Sequence, residues 1–432
     1  MQKRFFLSVA LVFLLTSVVF SQEKKIYSIE ECIQIALKNS YVVRWAEENY
    51  NAAKWDLVGA WSGFLPQANA SFGYSRADVP IVRYQEGSPI SFGATNYSWR
   101  FGISQTIFNG GYNLANYNLK KSSKRSAFDG VKLARQATTF QVKEGCYNLL
   151  KTQMLYDLQK DAVKRSEEQL KMAKARFDLG AASLSDYLKA KVQLGNDSLT
   201  LITYANNVKL AQANLNNNLG IDLDTPIEVA AKLEYQRFEQ DLERVLREII
   251  DSHPQIDQAQ MEKNRAHSGM TIARSRRFPS LTFSLGYSWS DREFPESWHQ
   301  YRSVYDPWSV GFSIGLNIFD GFSITAQEMS AKANYRSSEE NLKQQKRVVE
   351  LEIRQAYLKV KEAEQKILVA EQALSSAEED MKLTQEKYNL GAASMLELLD
   401  ANVSYKTAQN STVQALYDYN LAVAQFEKAM GK

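Results

Sequence analysis

Leu281-Thr282-Phe283-Ser284-Leu285-Gly286-Tyr287-Ser288-Trp289-Ser290 alternates large apolar groups with small polar ones, and Trp308-Ser309-Val310-Gly311-Phe312-Ser313-Ile314-Gly315-Leu316-Asn317-Ile318 does the same. Strands in this pattern face lipid on one side and water on the other. Each run holds about 10 or 11 residues, enough to cross a bilayer as a tilted strand. A strand in lipid cannot leave an edge unpaired, so its sheet must close. The first half of the chain carries a similar pair, with Ala68, Ala70, Phe72 and Tyr74 in one strand and Trp99, Phe101 and Ile103 in the other. Four strands are too few to close, since the smallest such barrels have about eight. The expectation is an oligomer whose copies complete one pore.

The rest of the chain also runs twice, about 211 residues apart. Residues 22–220 form a first repeat, with strands at about 67–76 and 98–108 and a long helical hairpin over 111–219. Residues 221–432 form a second, with strands at about 280–290 and 308–318 and a hairpin over 322–431. Arg76 to Asn96 and Trp289 to Pro307 are polar, Gly/Pro-bearing stretches that read as loops. Tyr27 to about Gly63 reads as one helix, with Ser28 as N-cap and Glu31 three residues on. Asp241 to Arg277 is helical with an interruption at His253-Pro254.

From about Tyr112 to Asp178 there is no proline, which allows a helix of roughly 100 Å. Leu155, Leu158, Ala162, Ser166, Leu170, Ala173 and Phe177 recur at steps of three and four and keep one seam toward a neighbour. Ile367, Ala370, Leu374, Ala377, Met381, Thr384 and Tyr388 make the second stripe. The hairpin tips align without a gap: Phe177-Asp178-Leu179-Gly180-Ala181-Ala182-Ser183 against Tyr388-Asn389-Leu390-Gly391-Ala392-Ala393-Ser394.

Residues 1–21 read as a secretory signal, with Lys3 and Arg4 before the uncharged run Phe5 to Phe20. Formal net charge is +3, and cleavage leaves about +1, so neither charge nor any basic block points to nucleic acid. Cys32 and Cys146 are the only cysteines, and two widely spaced thiols leave their pairing open. His253, His267 and His299 lack zinc-ligand spacing, and no Walker loop or nucleophile elbow is present. The reading is no enzyme, no cofactor and no metal.

The duplicated order, the strand-closing Ile107-Phe108-Asn109-Gly110 and Ile318-Phe319-Asp320-Gly321, and the two Leu-Gly-Ala-Ala-Ser tips resemble the TolC-like outer-membrane efflux family over essentially the whole mature chain. Two departures stand out: Thr106 and Asn317 replace a common proline, and Asn39-Ser40 replaces a common Asn-Pro. The resemblance implies a mainly α fold with membrane β: a homotrimer with a 12-stranded outer-membrane β-barrel, four strands per chain, continued by a periplasmic α-helical barrel. It places a mixed belt at Gln22 to Gly63, Gly220 to Arg277 and the C-terminus. It further implies passive conduction from an inner-membrane pump and a periplasmic adaptor, in efflux or type I secretion. The alternative is a periplasm-spanning structural coiled coil that conducts nothing.

On that resemblance, Gly180, Ala181, Ala182, Ser183, Gly391, Ala392, Ala393 and Ser394 are adaptor-docking tips. Glu397 and Asp400, three apart on one helix face, would form acidic rings at the periplasmic entrance. Crowding should raise their pKa values. Tyr388 would bond Asp186 or Ser185 to latch the closed state, while Ala393 stands where some members carry an arginine. Trp99, Trp289, Trp298 and Trp308, with Tyr97, Tyr287, Tyr301 and Tyr305, suit the lipid headgroup level. Substrate, pump and resting gate state stay open.

Overall fold

The computed structural model describes residues 25–85, 88–291, 294 and 308–431. The signal segment, Trp298, His299, Tyr301 and Tyr305 lie outside them. In chain order the elements are β1 (Lys25–Tyr27), α1 (Ile29–Asn39), α2 (Tyr41–Trp61), β2 (Gln67–Gln85), β3 (Ser88–Asn109), α3 (Tyr112–Asp178), α4 (Leu184–Leu219), β4 (Ile227–Val229), α5 (Leu242–Ile249), α6 (Pro254–Ser275), β5 (Ser280–Asp291), β6 (Trp308–Gly315), α7 (Ser323–Asn389) and α8 (Met395–Ala429). Among the described residues no helix is long and apolar enough to cross a membrane.

Two compact units partition these elements, and they cut across the sequence repeats. One holds the described residues up to Tyr41, with Thr138–Phe238 and Leu358–Gln425; the other holds Val42–Ala137, Glu239–Tyr357 and Phe426 onward. Each repeat sends its hairpin tip to the first unit and its membrane-type strands to the second.

In the first unit, Ser28 and Glu31 form the expected capping box: the Ser28 Oγ accepts from the Glu31 amide at 3.1 Å and Glu31 accepts from the Ser28 amide at 2.8 Å. The helix breaks at Ser40, whose backbone leaves the helical region (ψ 124°), so the single helix expected over 27–63 is two. The core gathers Cys32 and Ala36 of α1, Val142, Cys146 and Leu149 of α3, Leu215 and Leu219 of α4, and Ile227 of β4. Burying each leucine is worth about 1.5–3 kcal/mol. Cys32 and Cys146 are both buried and free. β1 and β4 pair in parallel, Lys25 against Ile227. Three-residue strands leave no periodicity to read, and this small sheet was not expected. Asn216, fully buried, holds the link after α4 by donating to the Leu223 and Thr225 carbonyls at 2.8 Å each.

The second unit contains one antiparallel sheet in the order β2-β3-β5-β6. Register places Ala70 against Phe101, Phe72 against Trp99, Phe101 against Tyr287, Leu285 against Val310 and Phe283 against Phe312. Opposed residues share a face, so all the apolar members of the alternation fall on one side. β2 and β3 run far beyond their expected limits: the stretch 76–96, expected as a loop, continues both strands, pairing Arg83 with Ile90 and Gln85 with Ser88. Backbone pairing carries on through the polar sequence. β6 stops at Gly315, short of the expected Ile318, which stands outside the strand. At Ile107 the register slips by one residue between Thr106 and Phe108. The slip returns Phe108 to the apolar side opposite Leu281.

Candidate functional site

The two hairpin tips are built alike. α3 and α7 each have 67 residues and end in the same turn. Gly180 (φ 71°) and Gly391 (φ 77°) adopt the left-handed conformation, which glycine enters at no steric cost. Ala181 then donates to the Arg176 carbonyl and Ala392 to the Lys387 carbonyl, both at 2.8 Å, the six-to-one bond of a Schellman turn. Ala182 precedes the cap of α4 and Ala393 that of α8.

The returning helices start on matched capping boxes. The Asp186 amide donates to Ser183 Oγ at 3.2 Å, and the Ser183 hydroxyl donates to the Asp186 carboxylate at 2.8 Å. Glu397 mirrors Asp186: its amide donates to Ser394 Oγ at 3.2 Å and its carboxylate accepts from the Ser394 amide at 2.6 Å. That amide bond, with the hydroxyl beside it, holds the Glu397 carboxyl below its ordinary pKa. The direction within one chain is opposite to that expected from crowding. Glu397 and Asp400 are exposed, while Leu398 between them is buried, so the two carboxylates do share the outer face of α8.

Tyr388 is not bonded to Asp186 or Ser185. The Asp186 carboxylate is taken up by its own cap, and Ser185 is exposed. The Tyr388 ring is instead buried against Ala173, Ala190, Met395 and Leu398, joining all four helices at the tips. Over it lies the Arg176 guanidinium, 4.4 Å from the ring centroid. Arg176 also donates to the Asn389 carbonyl at 3.0 Å. The sequence offered no signal for Arg176 beyond its place one residue before Phe177.

Further up the same hairpins sits a second polar feature that sequence reasoning missed. Asp197 of α4, 3% exposed, accepts from Ser166 and Gln159 of α3, from Gln193 of its own helix at 3.0 Å, and from Lys406 of α8 at 2.9 Å. Burial alone would raise the carboxyl pKa; the bonds from Ser166, Lys406 and Gln193 outweigh it, and the net shift is downward. The available signal was Ser166, the one hydroxyl within the first apolar stripe.

In the second unit, the membrane-type aromatics divide. Trp308 and Trp99 are exposed, and the Tyr287 ring meets that of Trp308 at a 56° tilt, 5.0 Å between centroids. Trp289 is 5% exposed, so its expected place facing lipid is corrected: it is covered within the chain. Among the described residues no group of three or more His, Cys, Asp or Glu could hold a metal ion.

The model of outer membrane efflux proteins matches residues 32–221 and 245–432. The chain belongs to that family. It is an outer-membrane protein that extends into the periplasm, and family members are channel proteins rather than enzymes. The outer membrane protein TolC of Vibrio cholerae is 21% identical over 390 residues, covering 87% of this chain and 84% of TolC. Nodulation protein T of Rhizobium leguminosarum bv. trifolii is 23% identical over 274 residues, covering 62% of this chain and 57% of that protein. The outer membrane channel CmeC of Campylobacter jejuni has the same fold, with a TM-score of 0.84 at 18% identity over 93% of this chain and 85% of CmeC.

Proposed function

We propose that the chain is the exit duct of a tripartite efflux or type I secretion system, working as a homotrimer that passively conducts cargo from an inner-membrane pump and a periplasmic adaptor. The observation that carries the reading is the sheet. It has an apolar face, and its β2 and β6 each have only one neighbour. The outward residues of β6 are the most open, with Phe312 68% and Ile314 75% exposed. Lipid tolerates neither a free strand edge nor a single open sheet of this size. Joining β6 of one copy to β2 of the next in three copies closes a 12-stranded barrel that removes every edge.

The tips Gly180–Ser183 and Gly391–Ser394 are the adaptor-docking ends. Their small side chains leave room for a partner helix. Glu397 and Asp400 line the entrance and favour cations, with Ser185, Asp186 and Tyr388 beside them.

Single-channel recording of purified protein in planar bilayers tests the duct, with oligomeric mass measured in parallel. Discrete conductance from a trimer is expected. A structural coiled coil would be electrically silent. Crosslinking from Ala182 and Ala393 to an adaptor tests the docking assignment separately.

A further inference from the structure

Opposite the apolar face, residues 67–75 of β2, residues 96–106 of β3, β5 and β6 present Ser, Thr, Asn, Gln and Gly at every position but one. Arg100 is the exception. Register sets it between Ser71 of β2 and Ser288 of β5, on the side away from Trp99 and Phe101. Its side chain is exposed, and among the described residues it has no acidic partner. The flanking serines are too short to cover a guanidinium and carry no charge to neutralise it.

An arginine on the lipid side of such a strand costs about 2–4 kcal/mol at mid-bilayer. The register places this one on the water side, where a permanent charge is tolerated. Among the described residues its side chain caps no helix and joins no ion pair.

We propose that Arg100 is an anion-binding position in the wall of the membrane barrel, which takes the carboxylate, phosphate or sulfate groups of passing cargo. The inference rests on the trimeric duct. Three-fold symmetry sets three guanidinium groups at one height around the lumen, each free to present its forked donors to an oxyanion. The pathway then carries charge of both signs, acidic at Glu397 and Asp400 and basic at Arg100. The selectivity measured for the whole duct is the resultant of the two, so the acidic entrance alone is understated in the wild type.

The test uses the full-length protein in planar bilayers under a potassium chloride gradient, with the reversal potential as readout. Arg100→Gln is expected to raise the potassium-to-chloride permeability ratio about twofold or more at low salt. The difference should shrink at molar salt, where the screening length falls from about 10 Å to about 3 Å. Arg100→Lys should retain the wild-type ratio. Arg100→Cys, labelled after assembly with a negatively or a positively charged thiol reagent, gives the same readout without relying on the folding of a new charge; Cys32 and Cys146 are fully buried and stay silent. A ratio unchanged in Arg100→Gln and indifferent to the reagent's sign overturns the proposal while leaving the duct intact. Absence of any wild-type conductance overturns the duct itself.

Discussion

The Arg176 guanidinium lies over the Tyr388 ring at 4.4 Å, so the end of the first long helix clasps the end of the second. The same arginine caps the C-terminus of α7 through the Asn389 carbonyl, where a positive charge also meets the negative end of the helix dipole. The tie between the hairpins is therefore a cation–π contact plus a backbone cap, in place of a tyrosine–carboxylate bond.

Replacing Arg176 with alanine removes both contacts, worth together about 1–2 kcal/mol. Amide hydrogen exchange in the last turn of α7 should quicken accordingly. Tyr388→Phe keeps the ring and should leave exchange unchanged, because the tyrosine hydroxyl bonds neither Asp186 nor Ser185. A large effect of Tyr388→Phe would show that the hydroxyl has a partner in the assembled protein, as the latch requires.

Removing Lys406 leaves the Asp197 carboxylate buried without its cation. Lys406→Met should destabilise the helical unit by about 3 kcal/mol in urea unfolding. The sign of the pH effect follows from the lowered carboxyl: folding is favoured by the ionised form, and this stability is lost as pH falls through the depressed value, below the ordinary 3.8. Asp197→Asn should flatten that acid limb. An unchanged limb would show that Asp197 does not drive it.

His253 works in the opposite pH direction from a salt-bridged histidine. Its Nδ1 accepts from the Gln255 amide at 3.3 Å as the cap of α6, and burial pushes its pKa below 6.5. Folding therefore favours the neutral ring. Stability is complete above 6.5 and declines as pH drops below it toward the lowered folded value. His253→Asn keeps a capping acceptor and should remove the decline. A melting temperature that falls equally in both proteins would count against His253 as the group that titrates.

Glu397 has two roles that substitution can separate. Glu397→Gln with Asp400→Asn keeps a side-chain acceptor for Ser394, so α8 should stay capped while cation selectivity falls. Glu397→Ala should also weaken the start of α8 through the lost cap. Selectivity unaltered by the double neutralisation would remove the acidic entrance from the mechanism.

Gly110 and Gly321 close equivalent strands and share φ 65°, yet they should differ on substitution. A Cβ on Gly110 would lie 2.3 Å from the Ser275 carbonyl, while Gly321 meets nothing within 4 Å. Gly110→Ala should impair folding severely; Gly321→Ala should cost about 1–2 kcal/mol from backbone strain alone. Next to Gly321, Phe322 holds φ 69°, where the first repeat has Gly111. Phe322→Gly should raise the thermal midpoint by relieving that strain, and a lower midpoint would show that the phenyl contact with Phe319 outweighs it.

Periodicity and local motifs were enough to find the strands of the four-stranded sheet, the long helices, both tips and the cap at Ser28, because these depend on neighbours within a few residues. The two-residue alternation read correctly for Leu281–Trp289 and stopped working across 76–96, where backbone pairing continued without an apolar signature. Side-chain partners across long separations were out of reach. The pairing of Asp197 with Lys406 and the placing of Arg176 over Tyr388 both join residues remote in sequence. The two repeats carry one local code at Gly110 and Gly321, so that code predicted one turn twice. Only the packing of α6 against the first made its glycine indispensable, since steric exclusion depends on what the folded chain brings alongside.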